Sequence, residues 1–389
     1  MSFPFGDTVK GSDSAFPKEE FDRHLGAART AIQARGIDLL LVSGPENIFY
    51  LCGHQTPGYY MFQCLGVPAV GQPFLLLREL ECANARANTW LDDVVYYEDG
   101  ADGARRLGDE LVRRGWKGRR VAFDRRSWFL SVAQYETLSS AFGSLADGSG
   151  LVETLRAVKS PLELAQIERA AQAAEAGMLA AIAEVRVGAT DNEVAAAMIG
   201  AAYRHGSEYV GLEPFVCAGT RSGTKHATWR RKELRSGDLV TLENSACVNR
   251  YHAALFRTAC VAGKANDRAR KMRDACIEGL DAALANLRPG RTCADVHRAV
   301  QSVVDRHGYT DNFRKRSGYS MGIAFPPDWG EGNVLSLYDG VDVPLAPGMV
   351  FHMPISLCEY GQFTVAASET AIVGEGPPRT LSTVTRALF

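Results

Sequence analysis

Several features are missing from this chain, and each absence narrows what it can be. No stretch of its 389 residues reaches the roughly 18 consecutive apolar residues that a membrane helix needs. The opening MSFPFGDTVKGSDSAF has no basic segment followed by an apolar run, so no secretory leader is expected there. Nine cysteines are scattered without a CxxC pair, and their number is odd. They read as reduced thiols in core positions, hence a cytoplasmic protein. A strong charge is also lacking: the formal net charge is −2, so neither a nucleic acid nor a membrane surface is an expected partner. What remains is 46% hydrophobic and 23% charged, the balance of a soluble globular chain long enough for two domains.

The first third alternates helical and extended patterns. KEEFDRHLGAARTAIQARG has helical spacing and stops at Gly36, while IDLLLVSG, QPFLLLREL, VVYYEDG and RRVAFD read as strands. The alternation predicts an α/β domain over 1–158. Ser160, Pro161 and Glu163 then form a helix start: a cap, a proline in the first turn and an acid at the third position. A second domain is placed at 159–389.

That second domain repeats itself. VRVGATDNEVAAAMIGAAYRHG and LRPGRTCADVHRAVQSVVDRHG align without gaps at an offset of 102. Each is a glycine turn, a capping threonine and a helix closed by His-Gly. A strand pair follows each copy, RSGDLVTLENSAC and APGMVFHMPISLC. Duplicated halves predict a pseudo-twofold sheet with helices on one face and a site in the cleft between the halves.

The segment LVTLENSACVNRYHAALFRTACV, Leu239 to Val261, reads as two strands and a turn with one acid, Glu243, on the first. A lone acid in an otherwise buried strand is costly unless it is paired or functional. As a functional group it fits two roles, nucleophile or general base.

In order, RAVKSPLELAQIERAA, this strand pair, SGYSMGIAFPPDWGEG and APGMVFHMPISL…SETAIV resemble the landmarks of the pita-bread family. That family includes methionine aminopeptidases, proline-specific peptidases and creatinase. The resemblance spans roughly residues 155–375 and implies an α/β (α+β) fold with a smaller creatinase-like N-terminal domain. The family's peptidases hold two metal ions with two Asp, one His and two Glu. At those places this chain carries Glu243, Ala254, Tyr319, Pro354 and Ser368. One carboxylate of the ligand set survives, so neither a metal nor any other cofactor is expected.

Two branches of the family are metal-free C–N hydrolases, creatinase and the ectoine hydrolases. The chain is more similar to the second. It shares the acid at Glu243 followed by RYH, the tyrosine of GYSMG, the run PPDWGE and the ending SET. Creatinase keeps a His at the place of Tyr319 and an acid where this chain has Phe256. Where ectoine hydrolases carry a tryptophan-containing stretch, this chain has Pro57 and Gly58.

The resemblance implies Glu243 as nucleophile and His226, in GTKHATW, as the proton carrier. Tyr319 is expected to donate to a developing anion or a substrate carboxylate, and Glu369 to hold a cationic nitrogen. His252, on the strand face of Ala254, and Asp328 and Trp329, in the rigid FPPDWGE turn, are expected to line the pocket. In the N-terminal domain, Tyr60 of HQTPGYYMFQC is the candidate for covering a partner's site in a homodimer. Arg78 fits a carboxylate bidentately or a strand-end salt bridge. The expected activity is metal-independent hydrolysis of a C–N bond in a small charged nitrogen compound. The alternatives are a creatinase-like amidinohydrolase, a non-catalytic binding protein, or a divergent peptidase with one metal ion.

Overall fold

A computed structural model describes residues 8–388; the first seven residues of the stretch tested for a leader lie outside them. The chain divides into two compact units with the boundary between Arg156 and Ala157. No described helix is long and apolar enough to cross a membrane. All nine cysteines are free, and all but Cys82 are buried.

The N-terminal unit is built on six strands: β1 (Leu39–Val42), β2 (Cys64–Pro68), β3 (Phe74–Arg78), β4 (Val94–Tyr97), β5 (Val121–Phe123) and β6 (Ala146–Asp147). Their order is β4-β3-β2-β1-β5-β6, with β2 antiparallel to both neighbours and the remaining pairs parallel. Among the described residues its α-helices are α1 (Lys18–Ala34), α2 (Pro45–Cys52), α3 (Cys82–Asn88), α4 (Gly103–Arg113), α5 (Val132–Phe142) and α6 (Leu151–Arg156). Leu107 and Leu111 of α4 and Leu138 of α5 join Leu39, Leu41, Phe74 and Leu76 in one core. The expected strands occur as β1, β3, β4 and β5. Strand β2 escapes the reading because CLGVP carries a glycine and a proline. Gly66 serves packing there, since a Cβ would meet the Phe74 ring at 2.2 Å.

The C-terminal unit opens on α7 (Pro161–Glu184) through the expected capping box: Glu163 N–H donates to Ser160 Oγ at 3.2 Å, and Ser160 N–H to the Glu163 carboxylate at 2.8 Å. The repeat is visible in helices α8 (Asp191–Arg204) and, after α9 (Asp267–Asn286), α10 (Cys293–Arg306). Each has 14 residues and a threonine capping box. Each copy leads to a hairpin of two ten-residue strands, β8 (Leu239–Val248) with β9 (Tyr251–Cys260), and β12 (Val350–Glu359) with β13 (Phe363–Ile372). With β7 (Phe215–Ala218), β10 (Gly318–Ser320) and β11 (Ser336–Leu337) the sheet runs β7-β8-β9-β13-β12-β10-β11, and β14 (Arg379–Thr380) pairs β13. The two hairpins abut at β9 and β13, on the pseudo-twofold axis.

Side chains alternate between the two faces of each strand. One face is covered by helices: Val240 and Leu242 of β8 pack on Met178, Val194 and Met198. Met353, Ile355, Val365 and Ala367 pack on Met272, Cys276 and Leu280 of α9. Burial of each of these Val, Leu, Ile and Met side chains stabilises the fold by roughly 1.5–3 kcal/mol. The opposite face is left for the site.

Candidate active site

The strand register puts the site residues in rows across the open face. Phe215 pairs with Glu243, and Glu243 with Phe256. Ser368 pairs with Pro354 and accepts the Phe256 N–H at 2.6 Å, which extends the same row. The neighbouring row holds Ala254, Thr370, His352 and Tyr319, joined by the Ala254–Thr370 hydrogen bonds and by the Thr370–His352 and His352–Tyr319 pairs. The five positions singled out by the resemblance therefore lie in two adjacent rows of one sheet face.

A cavity of about 760 Å³ stands over these rows. Its lining comes entirely from the C-terminal unit and includes Glu243, His226, Tyr319, Asp328 and Trp329, five of the residues expected in the site. Glu243 is 8% exposed, and no hydrogen-bond donor of the described residues reaches its carboxylate. Burial pushes its carboxyl up to about 7, against the attraction of Lys315 and Lys225.

Those two lysines were not singled out by the sequence. Both line the cavity, beside Glu243. Lys225 Nζ donates to Ser356 Oγ at 3.2 Å, and Lys315 Nζ donates to the Pro354 carbonyl, so both heads are tied to β12. Burial, reinforced by Lys225, pulls Lys315 down to about 7, and Glu243 opposes that shift. Lys225 is more exposed, and desolvation by the surrounding cavity walls lowers it as well. Glu243 is thus the carboxylate toward which two ammonium groups converge. The available signals were slight: Lys225 precedes His226, and Lys315 lies in the basic run Arg314–Arg316 just before GYSMG.

An aromatic wall orders one side. His226 lies 5.7 Å from the Phe215 ring, Phe215 5.3 Å from Trp329, and Trp329 Nε1 donates to Tyr319 Oη at 2.8 Å. The Arg316 guanidinium sits 4.8 Å over the Tyr319 ring. Burial holds the Tyr319 phenol well above its ordinary pKa, so the hydroxyl keeps its proton. His226 has φ +53°, a left-handed conformation uncommon outside glycine, of the kind that clusters at functional sites. The FPPDWGE turn is anchored from below: Glu331 takes the fully buried Lys159 ammonium at 2.7 Å and the Ile323 N–H at 3.1 Å.

Four expected residues have other surroundings. Glu369 does not face the cavity. It is one residue past Ser368, so alternation turns it to the helix-covered face, where it pairs with Arg257 at 3.2 Å and Arg386 at 3.0 Å. His252 shares the strand face of Ala254 but is 1% exposed and does not line the cavity. Its ring bonds the Arg250 carbonyl at 2.9 Å and accepts the Gly211 N–H at 3.2 Å, and burial lowers it to about 4. This histidine anchors a loop: a Cβ on Gly211 would stand 1.8 Å from the Asp328 carbonyl, so the anchored backbone seats the FPPDWGE turn. Arg78 belongs to the N-terminal unit and is engaged by Asp99 at 3.1 Å and Glu81 at 3.9 Å, the salt-bridge alternative. Tyr60 lies on a 3-10 turn of that unit, 73% exposed.

Comparison with known proteins agrees with this architecture. Residues 165–375 match the model of metallopeptidase family M24, and residues 24–158 match the creatinase/prolidase N-terminal domain. An ectoine hydrolase from Halomonas elongata is 29% identical over 96% of this chain and 98% of its own. A Xaa-Pro dipeptidase from Pyrococcus furiosus is 25% identical over 87% of this chain and 95% of its own. The solved prolidase from Pyrococcus horikoshii superposes with a TM-score of 0.83 at 20% identity, covering 94% of this chain and all of that one. By sequence and fold, the chain belongs to the M24 family, with a creatinase/prolidase N-terminal domain and the pita-bread fold of the prolidases.

Proposed function

We propose that this protein is a metal-independent hydrolase that cleaves a C–N bond in a small zwitterion, an amidine or amide that also carries a carboxylate. Opening of a cyclic amidine of the ectoine kind is the leading case. One observation carries this reading: of the five positions that hold metal in the peptidases of the fold, only Glu243 is a carboxylate, and it faces Lys225 and Lys315. Two dications need several anionic oxygen ligands close together. An alanine, a proline and two hydroxyls bonded to His352 do not fit that requirement.

The chemistry follows from the charges. Lys225 and Lys315 attract the substrate carboxylate, and Asp328 the cationic nitrogen. The Glu243 carboxylate adds to the amidine carbon, the C–N bond breaks, and His226 gives its proton to the departing nitrogen. A water then loses a proton to His226 and adds to the same carbon. Collapse expels the Glu243 carboxylate and leaves an amide and an amine. Tyr319 donates to the atom that gains electron density. The reading extends to a cytoplasmic homodimer in which the partner's N-terminal domain covers the cavity and Tyr60 supplies an aromatic to it. Light scattering tests the dimer.

The decisive test is acid quenching during turnover with ectoine, followed by peptide mass spectrometry. An adduct on the peptide containing Glu243 supports the nucleophilic role. Turnover with no adduct at any quench time sinks it in favour of general-base action. A thermal-shift screen against ectoine, creatine, guanidino acids and proline dipeptides identifies the substrate class.

A further inference from the structure

His352 is unused in the mechanism above, yet it sits wholly buried beneath the reacting row. Its Nδ1 is 2.9 Å from Tyr319 Oη and its Nε2 is 2.9 Å from Ser368 Oγ. Burial, with Lys315 and Arg257 nearby, holds the ring well below the ordinary pKa of histidine, so it is neutral and one nitrogen carries the hydrogen.

The neighbours decide which nitrogen that is. Ser368 Oγ already accepts the Phe256 N–H at 2.6 Å and is 0% exposed. If Nε2 carried the hydrogen, Ser368 would accept twice, and its own proton would have no acceptor among the described residues. A buried unpaired donor costs about 1–3 kcal/mol. If Nδ1 carries the hydrogen, Ser368 donates to Nε2 and every group in the chain is satisfied. Tyr319 Oη then accepts from His352 Nδ1 and from Trp329 Nε1, which fills both its lone pairs. Its own proton is left to donate, and the open side is the cavity that Tyr319 lines.

We propose that His352 is a positioning residue: as the Nδ1–H tautomer, fixed by Ser368, it directs the Tyr319 hydroxyl proton into the cavity. The identity of the atom that receives that hydrogen bond rests on the function proposed above. The tautomer does not. The former metal-ligand positions Tyr319 and Ser368 become the two ends of an organising chain with His352 at its centre.

The test has one arm without substrate and one with it. Nitrogen NMR of histidine-labelled resting enzyme, with His352→Asn identifying the resonance among the eight histidines, is expected to show Nδ1 protonated and Nε2 bare. In the second arm, an asparagine amide nitrogen reaches the place of Nδ1 and still donates to Tyr319, whereas a glutamine amide reaches only the place of Nε2. His352→Asn is therefore expected to keep kcat within a few-fold. His352→Gln should lose roughly 10- to 100-fold in kcat at nearly constant KM, a fraction of what a missing oxyanion donor costs. An Nε2-protonated ring, or equal kcat in the two variants, overturns the proposal. Failure of every C–N substrate would refute the proposed function and leave the NMR arm standing; if His352→Asn misfolds, loss of the same resonance in His352→Gln identifies it instead.

Discussion

Replacing Glu243 by glutamine preserves the side chain's size and removes its charge, which separates the cost of the site from its use. The Glu243 carboxyl is raised from 4.5 to about 7 by burial, and the two lysines offset only part of that. At about 1.4 kcal/mol per unit, the folded protein gives up about 3 kcal/mol when this carboxylate ionises. The sign is set by the folded state holding the proton more tightly than the unfolded one. The cost is absent below 4.5, grows as pH rises, and is complete above about 7. Glutamine resembles the protonated acid, so Glu243→Gln should match the native protein near pH 4.5. It should exceed it in thermal midpoint by several degrees at pH 8, given roughly 2–4 °C per kcal/mol for a unit of this size. Over the same range turnover should fall by at least about 10³-fold, since the charge that either a nucleophile or a base requires is gone. Paired thermal melts and initial rates from pH 4.5 to 8.5 provide the assay. A variant no more stable than the native protein at pH 8 would refute the reasoning, because Glu243 would then be a structural ion-pair partner.

Three further outcomes are expected. Glu369→Gln leaves the fully buried Arg257 guanidinium without its counter-charge, which outweighs the relief of a carboxyl that burial raises, and should cost about 3–5 kcal/mol in denaturant melts while kcat stays unchanged; a loss of kcat without a loss of stability would return Glu369 to the cavity. Lys315→Met removes an ammonium that burial has lowered from 10.5 to about 7, so its gain in thermal midpoint over the native protein should grow as pH falls across that interval. Its KM for a carboxylate-bearing substrate should rise about tenfold or more, since a charge-assisted contact is worth about 1.5–3 kcal/mol; an unchanged KM would remove Lys315 from substrate binding. Exhaustive dialysis against a chelator should leave activity intact, and elemental analysis of active enzyme should find no stoichiometric metal; activity that returns only on adding a divalent cation would overturn the metal-free reading.

Much of this protein was determined by local sequence. The capping boxes at Ser160, Thr190 and Thr292 depend on residues three apart, and all three helices start where those boxes place them. The duplication shows through as two 14-residue helices and two equal hairpins, because period and spacing survive in one dimension. The five positions that hold metal in the family's peptidases were legible through the resemblance, because its motifs are local runs such as GYSMG and SET that can be matched residue by residue. Tertiary structure decided what those offsets could not carry. Glu369 and Ser368 are neighbours in the chain but face opposite sides of the sheet, and packing on α9 chose the side. His252 is on the predicted strand face, but the Gly211 loop above it takes its ring. Lys225 and Lys315 are 90 residues apart in the chain and meet over Glu243 because two hairpins from two repeats share one sheet. Strand pattern fixes which residues can point the same way, but only the pairing of distant strands determines which charges face one another.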